Sequence, residues 1–470
     1  MSDSRETYSI LGAARSGLAA ARLLRSEGAH VFVSDIKPIA DETARALLEM
    51  GVEFEQGGHT ARVLEATTLV LSPGVPDTAP IVREAAAKGM TITNEIEIAA
   101  ARCTATIVAI TGTNGKTTTT ELTGFILRHA GRDAHVAGNV GIPFSQVVLE
   151  SGPESIVVLE MSSFQLEHIA RFRPAVAIVL NITPDHLDRY AGFEEYARAK
   201  SRITMNQQAS DLLIYNADDE HAGAMASRSG ARTLGFSITD EVDRGACVRN
   251  GILLLRKSVD PAGHEHAATD SIVEEEIMRI DEIRIRGPHN LYNAMAAALA
   301  VRSLGVETTT IAEALRRFAG VPHRLEPVRE LDGISYVNDS KATNVDSLWY
   351  ALSSFPQPII LIAGGRSKKN RYDAVIPLLK RNVKTAVLIG EAATEMEEAF
   401  AGATQTMRAG ESMDQAVELA RSIASPGDVI LLSPACASFD MFDNYEHRGE
   451  VFKRIVRALE PQPRGAEVSQ

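Results

Sequence analysis

Short, β-branched apolar segments alternate with helical patterns along almost the whole chain. Residues 8–11, 105–110, 156–159 and 176–180 are typical of these segments. Such alternation favours parallel sheets that are covered by helices on both faces. Because 470 residues are too many for one hydrophobic core, the chain is expected to divide into about three domains. The sequence therefore predicts an α/β protein with three domains.

The domain boundaries are placed where the strand and helix patterns are interrupted. We predict domains at residues 1–100, 101–320 and 321–470, with a hinge at Gly320-Val321-Pro322. Residues 237–282 show no clear pattern. The Pro-, Gly- and charge-rich tail from about residue 460 is predicted to be disordered.

Composition limits the partners that the protein can have. The formal net charge of −13 argues against a nucleic-acid backbone as the main partner. Three widely spaced cysteines favour a reducing compartment. The first residues are polar, and no apolar run approaches the roughly 20 residues of a membrane helix. We therefore expect a cytoplasmic monomer that binds neither nucleic acid nor membrane.

The segment Thr111-Gly112-Thr113-Asn114-Gly115-Lys116-Thr117 leads from an apolar strand into a helical pattern. A glycine-rich turn at a helix N-terminus presents backbone N–H groups to phosphate oxygens. Lysine can then reach the β- and γ-phosphates, and threonine can ligate Mg²⁺. The usual first glycine is replaced by Ile110. The alternative is a Thr/Gly-rich surface turn with a solvated lysine, and the loop alone does not separate a ligase from a kinase or an NTPase.

Several other segments carry a family resemblance when they are taken in order with this loop. The loop variant T-G-T-N-G-K-T resembles that of the Mur ligase superfamily, and the resemblance spans residues 8 to about 459. Three motifs are similar to those of its D-glutamate-adding members: Glu160-Met161-Ser162-Ser163-Phe164-Gln165-Leu166, Asn338-Asp339-Ser340-Lys341-Ala342-Thr343-Asn344 and Ser433-Pro434-Ala435-Cys436-Ala437-Ser438-Phe439-Asp440.

The resemblance implies a reaction, a fold and a set of cofactors. The reaction is ATP-dependent addition of D-glutamate to UDP-N-acetylmuramoyl-L-alanine through an acyl phosphate, in peptidoglycan synthesis. The domains would be an N-terminal Rossmann-like UDP-binding domain, a central P-loop ATPase-like domain with a mostly parallel sheet, and a C-terminal Rossmann-like domain that binds the amino acid. Two Mg²⁺ ions and a carboxylated lysine are implied as well. The alternatives are another Mur-type amide ligase such as folylpolyglutamate synthase, a P-loop kinase or ATPase, and a nucleotide-sugar oxidoreductase.

The same resemblance assigns the catalytic and metal-binding residues. Catalytic roles fall on Lys116, Glu160, His186 and Lys200, and the Mg²⁺ ligands would be Thr117, Glu160, His186 and the carbamate of Lys200. Local sequence alone allows other interpretations, in which Glu160 caps the next helix and Lys200 is a solvated lysine. Asp185 and Asp188 are interpreted as charges at a helix N-terminus.

The substrate-binding residues also follow from the resemblance. Asn290, which the resemblance assigns to ATP, could on local sequence alone be a helix N-cap. In the first domain, Ala14 replaces the middle glycine of a dinucleotide motif, which argues against NAD. Either Lys368 or Lys369 would face glutamate. The implied ATP-binding residues are Gly112, Thr113, Asn114, Gly115, Lys116, Thr117, Thr118, Asn290, Asn293, Arg324 and Asp339. Those implied for the UDP-substrate are Arg15, Ser16, Asp35, Lys37, Gly74, Asn139 and His186, and those for D-glutamate are Lys341, Thr343, Lys368, Ser438 and Tyr445.

Overall fold

The computed structural model describes residues 6–139, 141–185, 189–259, 271–367, 370–410 and 412–461. These residues form three sheets, which confirms the predicted α/β class. They divide into two compact units. One unit comprises the chain up to Ile283 together with Tyr292–Phe318, and the other comprises Arg284–Leu291 and the chain from Ala319 onward. Within the described residues, no helix is long and apolar enough to cross a bilayer.

The first sheet has five parallel strands in the order β3-β2-β1-β4-β5. The strand order reverses beside β1, and in open α/β sheets the ligand crevice lies at such a point. The turn after β1 is short, because the first helix already begins at Arg15. The strands are Thr7–Leu11 (β1), His30–Asp35 (β2), Glu53–Gln56 (β3), Thr68–Leu71 (β4) and Thr91–Asn94 (β5), and the helices are Arg15–Ser26 (α1), Asp41–Glu49 (α2), Pro80–Ala87 (α3) and Glu95–Ala100 (α4).

The second sheet has nine strands in the order β14-β13-β12-β11-β10-β9-β6-β8-β7. The strands predicted at residues 105–110, 156–159 and 176–180 are confirmed. The strands are Thr106–Thr111 (β6), Ala134–Gly138 (β7), Ile156–Glu160 (β8), Val176–Val179 (β9), Leu212–Asn216 (β10), Arg232–Ser237 (β11), Gly245–Arg249 (β12), Ile252–Val259 (β13) and Ser271–Arg279 (β14). The helices are Lys116–His129 (α5), Phe144–Val148 (α6), Ser163–Glu167 (α7), Phe193–Ser201 (α8), Glu220–Ala226 (α9), Pro288–Ser303 (α10) and Thr308–Arg317 (α11).

Strand direction in the second sheet agrees with the predicted mostly parallel sheet. Strand β12 is parallel to β11, whereas β13 is antiparallel to both β12 and β14. Strands β12, β13 and β14 occupy most of the region 237–282 that gave no clear sequence pattern. Their charged side chains pair with one another across the strands, as between Arg249 and Glu274 at 2.8 Å. Strand β13 opens with a short apolar run at residues 252–255, most of it buried, but it continues into Arg256 and Lys257. Strand β14 is charged at its centre and largely exposed, so the three strands as a whole do not show the pattern of buried parallel strands.

The third sheet has six strands in the order β15-β16-β20-β17-β18-β19, and only β15 is antiparallel to its neighbour. Its central strands are apolar and buried on both faces, which explains why the sequence revealed them. The strands are Glu326–Leu331 (β15), Ile334–Asn338 (β16), Ile359–Gly364 (β17), Val383–Ile389 (β18), Gln405–Arg408 (β19) and Val429–Leu432 (β20). The helices are Val345–Ser353 (α12), Ile376–Asn382 (α13), Ala393–Phe400 (α14), Met413–Ile423 (α15) and Tyr445–Ala458 (α16).

Candidate active site

The glycine-lysine loop connects β6 to α5, as the sequence predicted. Gly112 and Gly115 have φ angles of 154° and 86°, a backbone region that side chains rarely adopt. A Cβ on Gly115 would also lie 2.4 Å from Oδ1 of Asn293. The turn is therefore closed tightly against its surroundings, and α5 begins directly at Lys116. A helix N-terminus after such a turn is suited to bind phosphate.

Two lysines converge on one carbonyl of this loop. Lys116 Nζ donates to the carbonyl oxygens of Gly112 at 2.9 Å and Thr113 at 2.7 Å. Lys200 Nζ donates to the same Gly112 oxygen at 2.8 Å, from the last turn of α8. Two lysine amines on one carbonyl oxygen repel each other when both are protonated, so this edge of the loop favours either an anion or the loss of a proton from one lysine.

Lys200 is buried, and its surroundings change its acid–base chemistry. Only 1% of the residue is exposed, and its Nζ lies 4.7 Å from the centre of the Tyr196 ring. Burial lowers the pKa of Lys200 well below its ordinary value, and the charge of Lys116 lowers it further, against the opposing effect of Asp185 and Glu160. The interpretation of Lys200 as a solvated lysine is therefore wrong. A larger fraction of neutral amine is available here than on a surface lysine.

The loop is hydrogen-bonded to residues that follow β9 and to one residue of α8, and none of them had a predicted role. Asn181 Oδ1 accepts from the Asn114 N–H at 2.8 Å, and its Nδ2 donates to the Asn114 carbonyl at 3.0 Å. The Thr113 hydroxyl donates to the Thr183 carbonyl at 3.1 Å and lies 3.1 Å from the Tyr196 hydroxyl. Tyr196 could have been found from the sequence, because it lies four residues before Lys200 on α8 and therefore on the same face of the helix.

Glu160 is the last residue of β8 and is buried. Its Oε1 accepts a hydrogen bond from Asn139 Nδ2 at 3.0 Å. It does not cap the following helix, because Ser162 and Gln165 form the capping box of α7. The alternative structural role is therefore wrong. The carboxylate of Glu160 and the hydroxyl of Thr117 are hard oxygen donors of the kind that Mg²⁺ prefers.

Some predicted site residues cannot be placed. His186, Lys368 and Lys369 lie outside the described residues, as does Asp188. Asp185 lies in an irregular segment after β9, and the next described helix, α8, begins eight residues later. It is therefore not a helix N-terminal charge in the described part of the chain.

The ends of β1, β2 and β4 in the first sheet, with the loops and helix that follow them, carry five of the seven residues predicted for the UDP-substrate, whereas Asn139 follows β7 of the second sheet. Asp35 accepts from the Ala13 N–H at 2.7 Å and from the Lys37 N–H at 2.9 Å, so it closes the turn after β1. Arg15 begins α1 and donates to the carbonyl of Gly141 at 3.2 Å. Ser16 follows it in the first turn of α1, Lys37 is exposed, and Gly74 follows β4.

In the C-terminal unit, Asp339 follows β16 and is buried. Its oxygens accept from the Leu325 N–H at 3.2 Å and from the Ser433 hydroxyl at 2.9 Å. Burial raises the pKa of Asp339 to about 7, against the opposing effects of those bonds and of Arg324. Arg324 stands between His323 and Leu325, whose φ angles are 63° and 41°. The backbone on both sides of Arg324 is thus in an uncommon conformation, and Arg324 lies close enough to Asp339 for its charge to act on that carboxyl.

The two C-terminal motifs are joined by Arg448, which the sequence analysis did not select. Its guanidinium donates to Ser340 Oγ at 2.9 Å, to the Ser340 carbonyl at 2.8 Å and to the Cys436 carbonyl at 3.2 Å. It is only 1% exposed. Because Lys341 follows Ser340 and Ser438 lies two residues after Cys436, Arg448 fixes both predicted glutamate-binding segments.

Tyr445 belongs to the same group of residues. Its backbone carbonyl accepts from Ser340 Oγ at 2.8 Å, and Lys341 Nζ lies 5.3 Å from its ring centre. The Thr343 N–H donates to the carbonyl of Lys341 at 2.9 Å. Ser438 is buried. The structure thus gathers four of the five residues predicted for D-glutamate at one edge of the third sheet.

The two asparagines of α10 have different surroundings. Asn290 lies inside the helix, and its Nδ2 donates to the Arg286 carbonyl at 2.8 Å. It is therefore not an N-cap. Asn293 Oδ1 accepts from the Thr119 hydroxyl at 3.1 Å and lies against Gly115. Asn293 is thus adjacent to the phosphate loop.

Comparison with known proteins assigns a family to this arrangement. The chain matches the MurD N-terminal domain over residues 9–80, the Mur ligase middle domain over residues 110–301 and the Mur ligase glutamate ligase domain over residues 323–436.

Curated relatives match over nearly their whole length. The UDP-N-acetylmuramoylalanine–D-glutamate ligase of Salinibacter ruber is 48% identical, over 97% of this chain and 98% of the relative. The protein of the same name from Acidobacterium capsulatum is 45% identical, over 96% and 95%.

Solved structures share the fold. UDP-N-acetylmuramate-alanine ligase MurC from Thermotoga maritima has a TM-score of 0.57 at 20% identity, covering 96% of this chain and 99% of that one. The MurF ligase of the same organism, solved in complex with ADP, has a TM-score of 0.57 at 16% identity, covering 91% and 95%. Sequence motifs, site geometry and these similarities agree, and the chain belongs to the Mur ligase family.

Proposed function

We propose that this protein joins D-glutamate to UDP-N-acetylmuramoyl-L-alanine at the expense of ATP, as a cytoplasmic monomer in peptidoglycan synthesis. The observation that carries the proposal is the convergence of Lys116 and the buried Lys200 on the Gly112 carbonyl. A phosphate loop alone would suit a kinase as well. The name and near full-length coverage of the 42–48% identical relatives favour the D-glutamate ligase among the Mur-type enzymes. The three free cysteines agree with a reducing compartment.

ATP would bind with its phosphates on the loop. The N–H groups at the start of α5 and the ammonium of Lys116 would hold the β- and γ-phosphates, and Gly115 lets the backbone approach them. To do so, Lys116 must exchange its bonds to two loop carbonyls for bonds to phosphate. The remaining proposed ATP contacts are Gly112, Thr113, Asn114, Thr117, Thr118, Asn290, Asn293, Arg324 and Asp339.

Two Mg²⁺ ions are assigned to this site, the second with His186, which lies outside the described residues. Glu160 and Thr117 offer oxygen ligands for one, and His186 together with a carbamate on Lys200 would serve the other. Bound Mg²⁺ neutralises negative charge between the substrate carboxylate and the γ-phosphate. The neutral amine of Lys200 attacks CO₂, forms an N–C bond and loses one proton, which gives the carbamate. The low pKa of Lys200 supplies that amine.

The muramoyl-peptide carboxylate would attack the γ-phosphorus, forming an acyl phosphate and releasing ADP. The uncharged amine of D-glutamate would then attack the acyl carbon, its nitrogen would lose one proton, and phosphate would leave with the C–O bond electrons to give the amide. The UDP part is assigned to Arg15, Ser16, Asp35, Lys37, Gly74, Asn139 and His186. D-Glutamate is assigned to Lys341, Thr343, Lys368, Ser438 and Tyr445.

An ADP-release assay tests the reaction. We expect ADP only when UDP-N-acetylmuramoyl-L-alanine and D-glutamate are both present. Equal turnover with L-glutamate, or ADP release without an acceptor amine, would contradict the proposal. A kinase would release ADP without D-glutamate.

The carbamate has its own test. Lys200→Ala should abolish turnover, and short carboxylates such as formate or acetate should restore part of it by occupying the place of the carbamate. Lys380→Ala, an exposed lysine in the last turn of α13, is the matched control and should turn over normally without any response to formate. Full activity of Lys200→Ala, or no restoration by carboxylates, would contradict the carbamate.

A further inference from the structure

The second sheet contains a gap beside its short strand β12. Strand β12 begins at Gly245, which pairs with Gly235 of β11 and with Arg256 of β13. Strand β11 starts three residues earlier, at Arg232, and β13 continues three residues further, to Val259. Because neighbouring strands lie about 4.8 Å apart, the short β12 leaves an opening about one strand wide. We call this opening the β12 notch.

The β12 notch is part of a cavity of about 650 Å³. Its walls include the ends of β11 and β13, and the last turn of α10 closes another side with Leu299 and Arg302. Leu212, Leu234 and Leu255 supply apolar surface. This volume lies within the range of about 300–1,000 Å³ that is typical of small-molecule sites.

Basic side chains dominate the polar lining of this cavity. Arg232, Arg244, Arg256, Lys257 and Arg302 all line it, and no described lining residue is Asp or Glu. The chain as a whole carries a formal charge of −13. Five basic side chains on one concave surface offer N–H donors to an anion, while the carboxylates of Glu241, Glu274 and Glu275 offset part of their charge.

Three of these cations are held in place by carboxylates that do not line the cavity. Arg256 pairs with Glu274 at 3.1 Å, and Lys257 and Arg302 pair with Glu275 at 3.0 and 3.1 Å. These partners lower the freedom of long side chains that would otherwise have to be ordered by a ligand. Ordering such side chains before binding reduces the entropic cost of association.

The cavity is separate from the proposed active site within the same unit. It lies where β10, β11 and β12 begin, whereas the phosphate loop follows the carboxyl end of the parallel strand β6. Parallel strands β6, β9 and β10 are adjacent in the sheet, so these two edges face opposite ways. A ligand here would not compete with ATP.

We propose that the β12 notch binds a small organic polyanion, with two or more phosphate or carboxylate groups on a compact carbon skeleton. Guanidinium groups bind both kinds of anion through paired N–H donors. The leucine surface accounts for a carbon skeleton, and the volume exceeds what inorganic phosphate alone would fill.

Isothermal titration calorimetry of the full chain tests the site. The probes are fructose 1,6-bisphosphate and tricarballylate, in buffer whose ADP and Mg²⁺ saturate the phosphate loop. We expect at least one probe to bind with a Kd below about 1 mM. Binding of the bisphosphate alone identifies phosphate as the recognised group, and binding of tricarballylate alone identifies carboxylate. Absence of binding by both probes would overturn the proposal.

Variants test whether the calorimetric binding signal comes from the β12 notch. Arg232→Glu combined with Arg244→Glu should weaken probe binding by about tenfold or more, because two attractive charges become repulsive. Arg45→Glu, an exposed residue of α2, makes the same kind of charge change elsewhere and should leave the Kd within about twofold. If the double Glu variant fails to fold, Arg232→Gln with Arg244→Gln should weaken binding about threefold. An unchanged Kd in a folded double variant would refute the site.

Discussion

Asn181 should determine how well the phosphate loop is ordered before ATP arrives. Its side-chain amide makes two reciprocal hydrogen bonds with the backbone of Asn114, at 2.8 and 3.0 Å. Asn181→Ala removes both bonds and leaves the β9 backbone in place. The loop would then lose its side-chain support at the position just before Gly115.

The size of the effect follows from the two bonds. A neutral hydrogen bond contributes about 0.5–1.5 kcal/mol net, so the pair is worth about 1–3 kcal/mol. A factor of ten in an equilibrium constant corresponds to about 1.4 kcal/mol. If this energy orders the loop for ATP, the KM for ATP should rise by about 5- to 150-fold in Asn181→Ala. The KM values for D-glutamate and the UDP-substrate should change much less.

Asn206→Ala is a matched control for this measurement. Asn206 Nδ2 donates to the backbone carbonyls of Ala170 and Phe172, both at 3.0 Å, so the variant also loses two side-chain bonds to backbone. ADP release is measured for both variants, and hydrogen exchange is followed at the amides of residues 113–116. Equal KM values for ATP in the two variants, or unchanged loop exchange in Asn181→Ala, would refute the reasoning.

Three further changes test other parts of the structure. Burial raises the pKa of Glu95 from 4.5 to about 7, so the folded state binds its proton more tightly than the unfolded state and loses stability as pH rises between these values. The free energy of unfolding, measured with urea at pH 5 and 7, should fall with rising pH in the unsubstituted protein by up to about 1.4 kcal/mol per pH unit because of Glu95. Glu95→Gln should remove this fall, and an equal fall in the variant would contradict the prediction. Arg448→Met should lower the free energy of unfolding of the C-terminal unit by about 2–4 kcal/mol, because buried carbonyls lose their hydrogen-bond donor. Hydrogen exchange of the amides in that unit measures this loss, and unchanged protection from exchange would contradict the prediction. Asn139→Leu removes the donor to Glu160 and should raise the Mg²⁺ concentration for half-maximal turnover by about 10- to 100-fold, whereas an unchanged Mg²⁺ requirement would disprove this role.

The central strands and the phosphate loop could be predicted because their signals are local. Strand β6 is a continuous apolar run, and Gly112, Gly115 and Lys116 follow it directly. Strands β12 to β14 could not be predicted in the same way, because paired charges such as those of Arg249 and Glu274 interrupt the apolar pattern, whose longest run is residues 252–255 of β13. The antiparallel direction of β13 depends on which strands become its neighbours.

The supporting residues of the site could not be predicted because their partners are distant in sequence. Asn139 reaches Glu160 because β7 pairs with β8, with Gly138 opposite Glu160. Arg448 reaches Ser340 across 108 residues. Lys200 shows no special feature locally, and only its position beneath the loop buries it. The family resemblance singled out Lys200 as a predicted site residue. The structure adds that its amine is buried and has a lowered pKa, which is the property that the predicted carbamate requires.

The missing first glycine of the phosphate loop has a structural explanation. Ile110 is a strand residue that pairs with Glu160 on one side and Ile178 on the other, and it is fully buried. A glycine at this position would weaken the centre of the sheet. The turn needs a permissive backbone only from Gly112 onward, where φ becomes positive. Asn181 and Lys200 then bond to the loop backbone, so support from neighbouring elements replaces the longer glycine-rich turn and places the second lysine beside the phosphate site.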